Sequence, residues 1–312
     1  MPATILVTGA AGFAGSHLLD MLARDDVPVV AWHRPGRTPP AAPPTVQWEA
    51  VDLLDRAAVQ KAIERGRPIA VYHCAAAAHV GKAWDSAEST LAVNVRGTHN
   101  LCDALRRAGL RVPCLIPSSA MVYQPAAAAI AEDAPLIPPN PYGLSKLAQE
   151  LLALRSIPDG VDVRVARAFN HIGPRQDPFF AASGFARRIA DIEKGRWAPE
   201  IAVGNLDAQR DLTDVRDTVR AYRLILERGL PGRPYNVCSG RAVTIRHLLD
   251  LLIERARCPV TVKIDPARYR PNDNPILLGD PSRLRDELGW QAEIPLERTV
   301  DDLLGYWRQK SS

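Results

Sequence analysis

The segment that decides the fold is Thr4-Ile5-Leu6-Val7-Thr8-Gly9-Ala10-Ala11-Gly12-Phe13-Ala14-Gly15. A short apolar run predicts a strand, and it leads through a glycine-rich turn into a helical pattern. Glycine permits the tight turn and lets backbone N–H groups approach a pyrophosphate at the positive end of the helix. Gly9, Gly12 and Gly15 are therefore candidates for binding a dinucleotide, although their GxxGxxG spacing differs from the generic GxGxxG. The apolar positions of the helix are Phe13, Leu18, Leu19 and Leu22.

Composition narrows the class of protein. The chain has 312 residues, of which 46% are hydrophobic and 24% charged, as in ordinary globular enzymes. A net charge of +4 with scattered arginines argues against nucleic-acid binding. The sequence contains neither a membrane-spanning stretch nor a leader, and its five cysteines lack metal spacing. We expect a cytoplasmic protein with reduced thiols, without a bound metal and without a membrane or nucleic-acid partner.

The end of the second predicted strand, residues 27–32, indicates which dinucleotide is bound. Folds selective for NAD usually place an acidic residue here for the ribose 2′-hydroxyl, whereas this chain has His33 and Arg34. Because cations suit a 2′-phosphate, NADP(H) is favoured and NAD(H) remains possible. Alternatively, the two residues only begin a solvated loop. Asp52 follows the third strand and is a candidate for the adenine edge.

A candidate proton donor lies in the segment Asn140-Pro141-Tyr142-Gly143-Leu144-Ser145-Lys146. Asn140 suits a helix N-cap and Pro141 the first helical position, so Tyr142 and Lys146 lie one turn apart on the same side. A phenol has a pKa of about 10, and a neighbouring ammonium is expected to lower this pKa towards neutrality. Tyr142 could then exchange a proton with a carbonyl or carbinol oxygen. The pair alone is more often a packed ring beside a solvated amine.

Two further polar residues are predicted near this pair. Ser119 follows the fifth strand, residues 112–116, and side chains beyond the carboxyl ends of parallel strands face the ligand crevice. Ser119 can therefore hydrogen-bond the oxygen that Tyr142 protonates. Asn94 lies in a predicted helix that runs to Leu105, where a buried amide needs partners and could orient Lys146 through a water.

Taken in order, these residues resemble the extended short-chain dehydrogenase/reductase family of sugar-nucleotide enzymes. The resemblance implies a Rossmann-type α/β fold with a doubly wound, mostly parallel sheet and a smaller α/β substrate-binding domain. It also implies that Ser119, Tyr142 and Lys146 are catalytic and that the protein is a homodimer. We expect residues 1–170 to form the NADP-binding domain, with a return near 211–237, and residues 171–312 to form mainly the nucleotide-sugar domain. The residues that carry the resemblance are Gly9-x-x-Gly12-x-x-Gly15, Asp52, Asn94, Ser119 and Tyr142-x-x-x-Lys146.

Several strings in the second half resemble the GDP-mannose branch of that family. By this similarity, Asn170, Arg210 and Arg270 hold a GDP-sugar and Asp273 reaches its ribose. Arginine forks suit a diphosphate better than lysine does, although such residues are more often surface or salt-bridge groups without the resemblance. The strings are residues 203–211, 214–217, 235–240, 270–271, 278–280 and 288–290.

The branch contains a 4,6-dehydratase and a 4-ketosugar reductase, and two positions separate them. Dehydratases of this family carry an acid where this chain has Ala120 and Met121, and losing a general acid commonly costs ~10²–10⁴-fold in rate. We therefore expect NADPH-dependent reduction of GDP-4-keto-6-deoxy-D-mannose at C4 to GDP-6-deoxy-D-mannose, a step of deoxysugar biosynthesis. The alternatives are GDP-mannose 4,6-dehydration, another nucleotide-sugar epimerase or reductase, and a non-enzymatic nucleotide sensor.

Overall fold

The computed structural model describes residues 3–78, 82–269 and 274–310. Its strands are β1 (Ile5–Thr8), β2 (Val29–His33), β3 (Val46–Ala50), β4 (Ala70–His73), β5 (Pro113–Ser119), β6 (Asp162–Ala168), β7 (Asn170–Ile172), β8 (Glu200–Val203), β9 (Gln209–Asp214), β10 (Pro234–Val237), β11 (Ala242–Thr244), β12 (Thr261–Ile264) and β13 (Ile276–Leu277). Its α-helices are α1 (Phe13–Arg24), α2 (Arg56–Gly66), α3 (Lys82–Asp85), α4 (Ala87–Leu91), α5 (Gly97–Arg107), α6 (Pro141–Arg155), α7 (Ala181–Glu193), α8 (Val215–Arg228), α9 (Ile245–Glu254), α10 (Ser282–Leu288) and α11 (Leu296–Lys310).

A seven-stranded parallel sheet with the order β10-β6-β5-β4-β1-β2-β3 forms the centre of the molecule. The chain winds outward in one direction from β1 to β3 and in the other from β4 to β6. The predicted doubly wound parallel sheet is therefore confirmed. In such sheets the ligand crevice lies at the carboxyl ends of the strands where the winding reverses, which here is between β1 and β4.

Helices cover both faces of this sheet, because neighbouring residues of a strand point to opposite sides. Val7 of β1 packs with α1, α8 and α10 in one buried cluster, whereas Leu6 packs with α2, α5 and α6 in the other. Strands buried on both faces must be apolar throughout, which accounts for the continuous apolar runs in the sequence. The two layers fix the strand ends that carry the site.

A smaller layer packs beside the carboxyl end of the large sheet. Its core joins α7, α9 and α11 with β8, and the indole Nε1 of Trp307 donates to Ser183 Oγ across 3.0 Å. Around it lie a small sheet, in which β7, β11 and β13 all pair with β9, and the pair β8–β12. β7 and β9 thereby reach the mouth of the crevice.

Parts of the second half return to the large sheet. β10 pairs with β6, while α8, α10 and Trp290 join the buried cluster around Val7. We propose a first domain of residues 1–170 completed by these returning segments, with the remaining residues forming the second domain. Among the described helices, none is both long and apolar enough to cross a bilayer.

Candidate active site

The glycine turn between β1 and α1 is closed so tightly that side chains are excluded. Gly9 has φ +64°, and a Cβ there would lie 2.5 Å from the backbone of Ala75. A Cβ on Gly15 would lie 2.3 Å from the Gly9 carbonyl oxygen, which already accepts from Gly12 N at 2.9 Å. Since Gly12 occupies the N-cap of α1 without a side chain, the first N–H groups of the helix are left for an anion. The turn therefore fits the pyrophosphate of a dinucleotide.

The residues predicted to bind the adenosine end lie at the neighbouring strand ends. His33 ends β2, and its ring meets the Trp48 ring edge-on at 5.9 Å. Arg34 is exposed immediately after it, and the His33 carbonyl accepts from Val51 N at 3.0 Å. Asp52 follows, with its Oδ1 accepting from Leu54 N at 2.9 Å. Their contacts with a cofactor stay a prediction.

Helix α6, which carries Tyr142 and Lys146, begins as the sequence predicts. Asn140 caps it, with Oδ1 accepting from Gly143 N at 2.8 Å, and Pro141 is its first residue. A Cβ on Gly143 would lie 2.1 Å from the carbonyl oxygen of Met121, so the helix backbone packs directly on the segment after β5. This close approach brings the Tyr142 side chain into a hydrogen bond with Ser119.

The protonation of Tyr142 differs from the expectation. Burial raises the pKa of the phenol above its usual value of 10, and the hydrogen bond with Ser119 opposes that rise. The prediction that Lys146 lowers this pKa is wrong, because burial dominates and Lys146 is not among the groups that shift it. Tyr142 therefore keeps its proton at neutral pH, which suits a proton donor.

Lys146 is buried at the base of the site with 3% of its surface exposed. Its Nζ donates to the Pro117 carbonyl oxygen at 2.6 Å and, in a short contact, to Gln149 Oε1. Burial lowers the pKa of Lys146 to about 8, while the charge of Glu150 opposes the fall. The ammonium is thus held in place and close to titration at physiological pH.

Asn94 connects the loop after β4 to the catalytic helix. It lies in a π-helical turn, Ala92–Arg96, of the kind that often marks functional sites. Its Oδ1 accepts from Ala77 N at 2.8 Å, and its Nδ2 donates to Ser145 Oγ at 2.9 Å. In the described part of the chain these bonds do not include Lys146, and a link through water stays a prediction.

A cavity of about 730 Å³ opens next to the segments that carry Ser119 and Tyr142. Met121 and Asn140, which lie two residues from Ser119 and Tyr142 in the chain, both line it. Asn170 at the start of β7 and Arg210 on β9 line it as well, so the structure brings these two predicted substrate residues together. Its volume is in the range of pockets that take a ligand of substrate size.

The other two predicted substrate residues, Arg270 and Asp273, lie outside the described residues. Arg268 and Asn274, on either side of that segment, both line the cavity. Sequence reasoning also missed several lining residues that come from distant segments. The local signal for this lining was the adjacent pair Phe179 and Phe180, which follow a proline in a loop. The missed residues are Trp84, Gln176, Phe179, Phe180, Phe185 and Asn205.

Metal chemistry finds no support in the described ranges, where no group of three or more His, Cys, Asp or Glu side chains could hold an ion. His73, which a search for ligands would pick out, instead hydrogen-bonds two threonines. Catalysis by Ser119, Tyr142 and Lys146 stays a prediction.

The sequence is similar to curated enzymes of nucleotide-sugar metabolism. It is 37% identical over 314 residues to GDP-6-deoxy-D-mannose reductase of Pseudomonas aeruginosa, which covers 99% of each chain. It is 26% identical over 292 residues to GDP-mannose 4,6-dehydratase of Vibrio cholerae, covering 81% of this chain and 76% of the relative.

Solved structures and a family model agree with these similarities. The structure of RMD from Pseudomonas aeruginosa complexed with NADPH superimposes with a TM-score of 0.87 at 35% identity, covering 99% of each chain. A UDP-glucose 4-epimerase of Thermus thermophilus complexed with NAD gives a TM-score of 0.86 at 29% identity, over 98% of this chain and 99% of the other. The family model described as GDP-mannose 4,6 dehydratase matches residues 6–303, and the chain belongs to that family.

Proposed function

We propose that this chain reduces the C4 ketone of GDP-4-keto-6-deoxy-D-mannose to GDP-6-deoxy-D-mannose with NADPH. The observation that carries the proposal is the close packing of α6 on the segment after β5, which places the Tyr142 side chain against Ser119 beside the cavity. Ala120 and Met121 stand where a dehydratase needs an acid, and neither side chain can transfer a proton. The full-length similarity to a GDP-6-deoxy-D-mannose reductase supports the same activity.

In the proposed reaction, bound NADPH supplies the hydride that the C4 carbon receives. Tyr142 donates its phenolic proton to the C4 oxygen as that oxygen gains negative charge, so that a ketone becomes an alcohol. Ser119 donates a hydrogen bond to the same oxygen and fixes its position. Lys146 would hold the nicotinamide ribose, because its ammonium can donate to the ribose hydroxyl oxygens.

Nucleotide-sugar binding is assigned to the walls of the cavity. Arg210 would pair with the diphosphate, because a guanidinium presents two parallel donors to phosphate oxygens. Asn170 would donate to the same group, and Arg270 and Asp273 would complete the guanosine side by the family resemblance. Arg268, which lines the cavity beside that segment, supplies further positive charge.

NADP(H) is the proposed cofactor, with NAD(H) as the second possibility. The glycine turn accommodates the pyrophosphate of either dinucleotide. Arg34 supplies a cation directly after His33 at the strand end adjoining that turn, which favours a 2′-phosphate. The NADPH complex of the similar RMD supports this choice.

We propose that the protein acts as a homodimer in the cytoplasm. Leu144 and Leu151, seven residues apart on α6, are 54% and 53% exposed, and Leu91 on the adjacent α4 is 37% exposed. Such an apolar stripe on neighbouring helices is typical of a surface that a second copy covers. All five cysteines are free, which fits a reducing compartment. A monomer in light scattering would refute the dimer.

The activity is tested by supplying GDP-mannose with a separate 4,6-dehydratase, then adding this protein and NADPH while following nicotinamide absorbance and product identity. We expect oxidation of NADPH only when the dehydratase is present. Tyr142→Phe should lose at least ~10²-fold in turnover and still bind NADPH, whereas Tyr306→Phe on α11 should match the wild type. Production of the 4-keto sugar from GDP-mannose by this protein alone would favour the dehydratase instead.

A further inference from the structure

We propose that Gln149 positions the Lys146 ammonium, and that Thr98 and an uncharged His73 hold Gln149 in the required orientation. The inference rests on the proposed function, since it concerns how Lys146 is presented to the cofactor. It assigns a role to three buried residues that lie outside the Ser119, Tyr142 and Lys146 set.

The donors of Lys146 leave one hydrogen for the cofactor. A lysine ammonium has three N–H groups. Pro117 O and Gln149 Oε1 accept two of them, and the structure gives the third no acceptor among the residues it describes. Gln149 is therefore one of two anchors that decide where the remaining N–H points.

The orientation of Gln149 is fixed from its other end. The side chain is fully buried, at 0% exposure, and its Nε2 donates to Thr98 Oγ1 at 2.8 Å. Turning the amide over would place its NH₂ group against the ammonium and would leave both groups without acceptors. Because unpaired buried donors are costly, one amide orientation is strongly preferred.

The hydrogen bonds of Thr98 determine the tautomer of His73. The Thr98 hydroxyl donates its one hydrogen to the Asn94 carbonyl oxygen at 2.7 Å. Its oxygen can therefore only accept hydrogen bonds from its other neighbours. His73 Nε2 lies 2.8 Å from the same oxygen and must therefore carry a proton. Nδ1 is then the acceptor, and it receives the hydroxyl hydrogen of Thr8 at 2.8 Å.

His73 is uncharged in this arrangement. Burial, together with the smaller effect of the Lys146 charge, lowers the pKa of His73 to about 3. A neutral ring with one donor and one acceptor satisfies both threonines, whereas an imidazolium would direct a second N–H at Thr8. His73 thus serves as a fixed link and not as a proton carrier.

The chain of bonds ends at the glycine turn. Thr8 is the last residue of β1, directly before Gly9, and its Oγ1 also accepts from Ala75 N at 3.3 Å. Ala75 is the residue whose backbone Gly9 approaches most closely. The same buried network therefore connects the pyrophosphate turn to the ammonium that faces the nicotinamide end, and it sets their relative position.

The test compares NADPH dissociation constants, measured by fluorescence titration, for full-length variants. Gln149→Met removes the acceptor and should weaken NADPH binding by about 10-fold, in line with losing a hydrogen bond to a charged group. Gln149→Glu keeps an acceptor for Lys146 and loses the donor to Thr98, so it should weaken NADPH binding less than Gln149→Met does. The control Gln60→Met changes a half-buried glutamine on α2, whose amide hydrogen-bonds Glu64, and should leave binding unchanged.

A double-mutant cycle separates positioning from a purely structural role. If Gln149 acts through Lys146, Gln149→Met should cause no further loss of NADPH affinity, within about 2-fold, in a Lys146→Met background. Additive losses would overturn the inference, as would equal effects of the Met and Glu variants at position 149. Thermal denaturation confirms that each variant is folded. If Gln149→Met fails to fold, Thr98→Val replaces it, and this variant should weaken NADPH binding relative to the wild type and cause no further loss in the Lys146→Met background.

These measurements remain informative if the proposed reaction is wrong. Normal NADPH binding without ketosugar reduction would refute the proposed function and still leave the cycle at Gln149 and Lys146 decisive. Failure of the wild-type chain to bind NADPH would overturn both.

Discussion

Raising the pH through 8 is expected to inactivate the protein, because the Lys146 ammonium loses its proton there. Burial lowers the pKa of Lys146 from 10.5 to about 8. The charged form is about nine-tenths populated at pH 7 and about one-tenth populated at pH 9, so kcat/KM for NADPH should fall about tenfold between them. Burial holds the pKa of Tyr142 above 10, so its proton remains available over the same range.

The assay is the pH dependence of kcat/KM for NADPH, since this ratio reports groups that titrate in the free enzyme. Lys146→Arg is the matched control, because its guanidinium stays charged throughout and the decline near pH 8 should vanish from its residual activity. A wild-type profile that is flat from pH 7 to about 10 would show that titration of Lys146 does not control activity. The same decline in Lys146→Arg would show this as well.

Three further changes probe separate parts of the structure. Glu150→Gln leaves Arg167 buried without its carboxylate, and thermal and urea denaturation should show a loss of about 3 kcal/mol that the exposed Glu254→Gln does not. Gly143→Ala forces α6 away from the segment after β5, and steady-state kinetics should show kcat reduced by about 10²-fold with the protein still folded. Arg34→Ser should weaken NADPH binding by about 10-fold and leave NADH binding unchanged when both dissociation constants are measured.

Local signals in the sequence predict the parts of the site that depend on neighbouring residues. The order strand, glycine turn, helix identifies β1 and α1 because each element is short and its chemistry is local. Asn140 and Pro141 likewise predict the start of α6, and the cap forms as expected. Ser119 could be placed at the crevice because the carboxyl ends of parallel strands share one edge of the sheet.

Features that depend on packing between distant segments could not be predicted. The pKa of Tyr142 rises because other elements bury the ring, a contribution that the four-residue spacing to Lys146 does not contain. The cavity draws Trp84 from α3 and both Gln176 and Phe179 from the loop before α7, almost a hundred positions away in the chain. The hydrogen-bond network through His73 could not be predicted either, since its bonds join residues up to 67 positions apart.

The central claim is that hydride passes from the nicotinamide to C4 of the sugar and remains there. The most direct test uses NADPH with deuterium at the transferable position, GDP-4-keto-6-deoxy-D-mannose as substrate, and analysis of the product by mass spectrometry and NMR. For a C4-ketosugar reductase, we expect product labelled with a single deuterium at C4 and an equal amount of NADP⁺. Unlabelled product formed without net consumption of NADPH would contradict it and would identify an enzyme that regenerates its cofactor in each turnover.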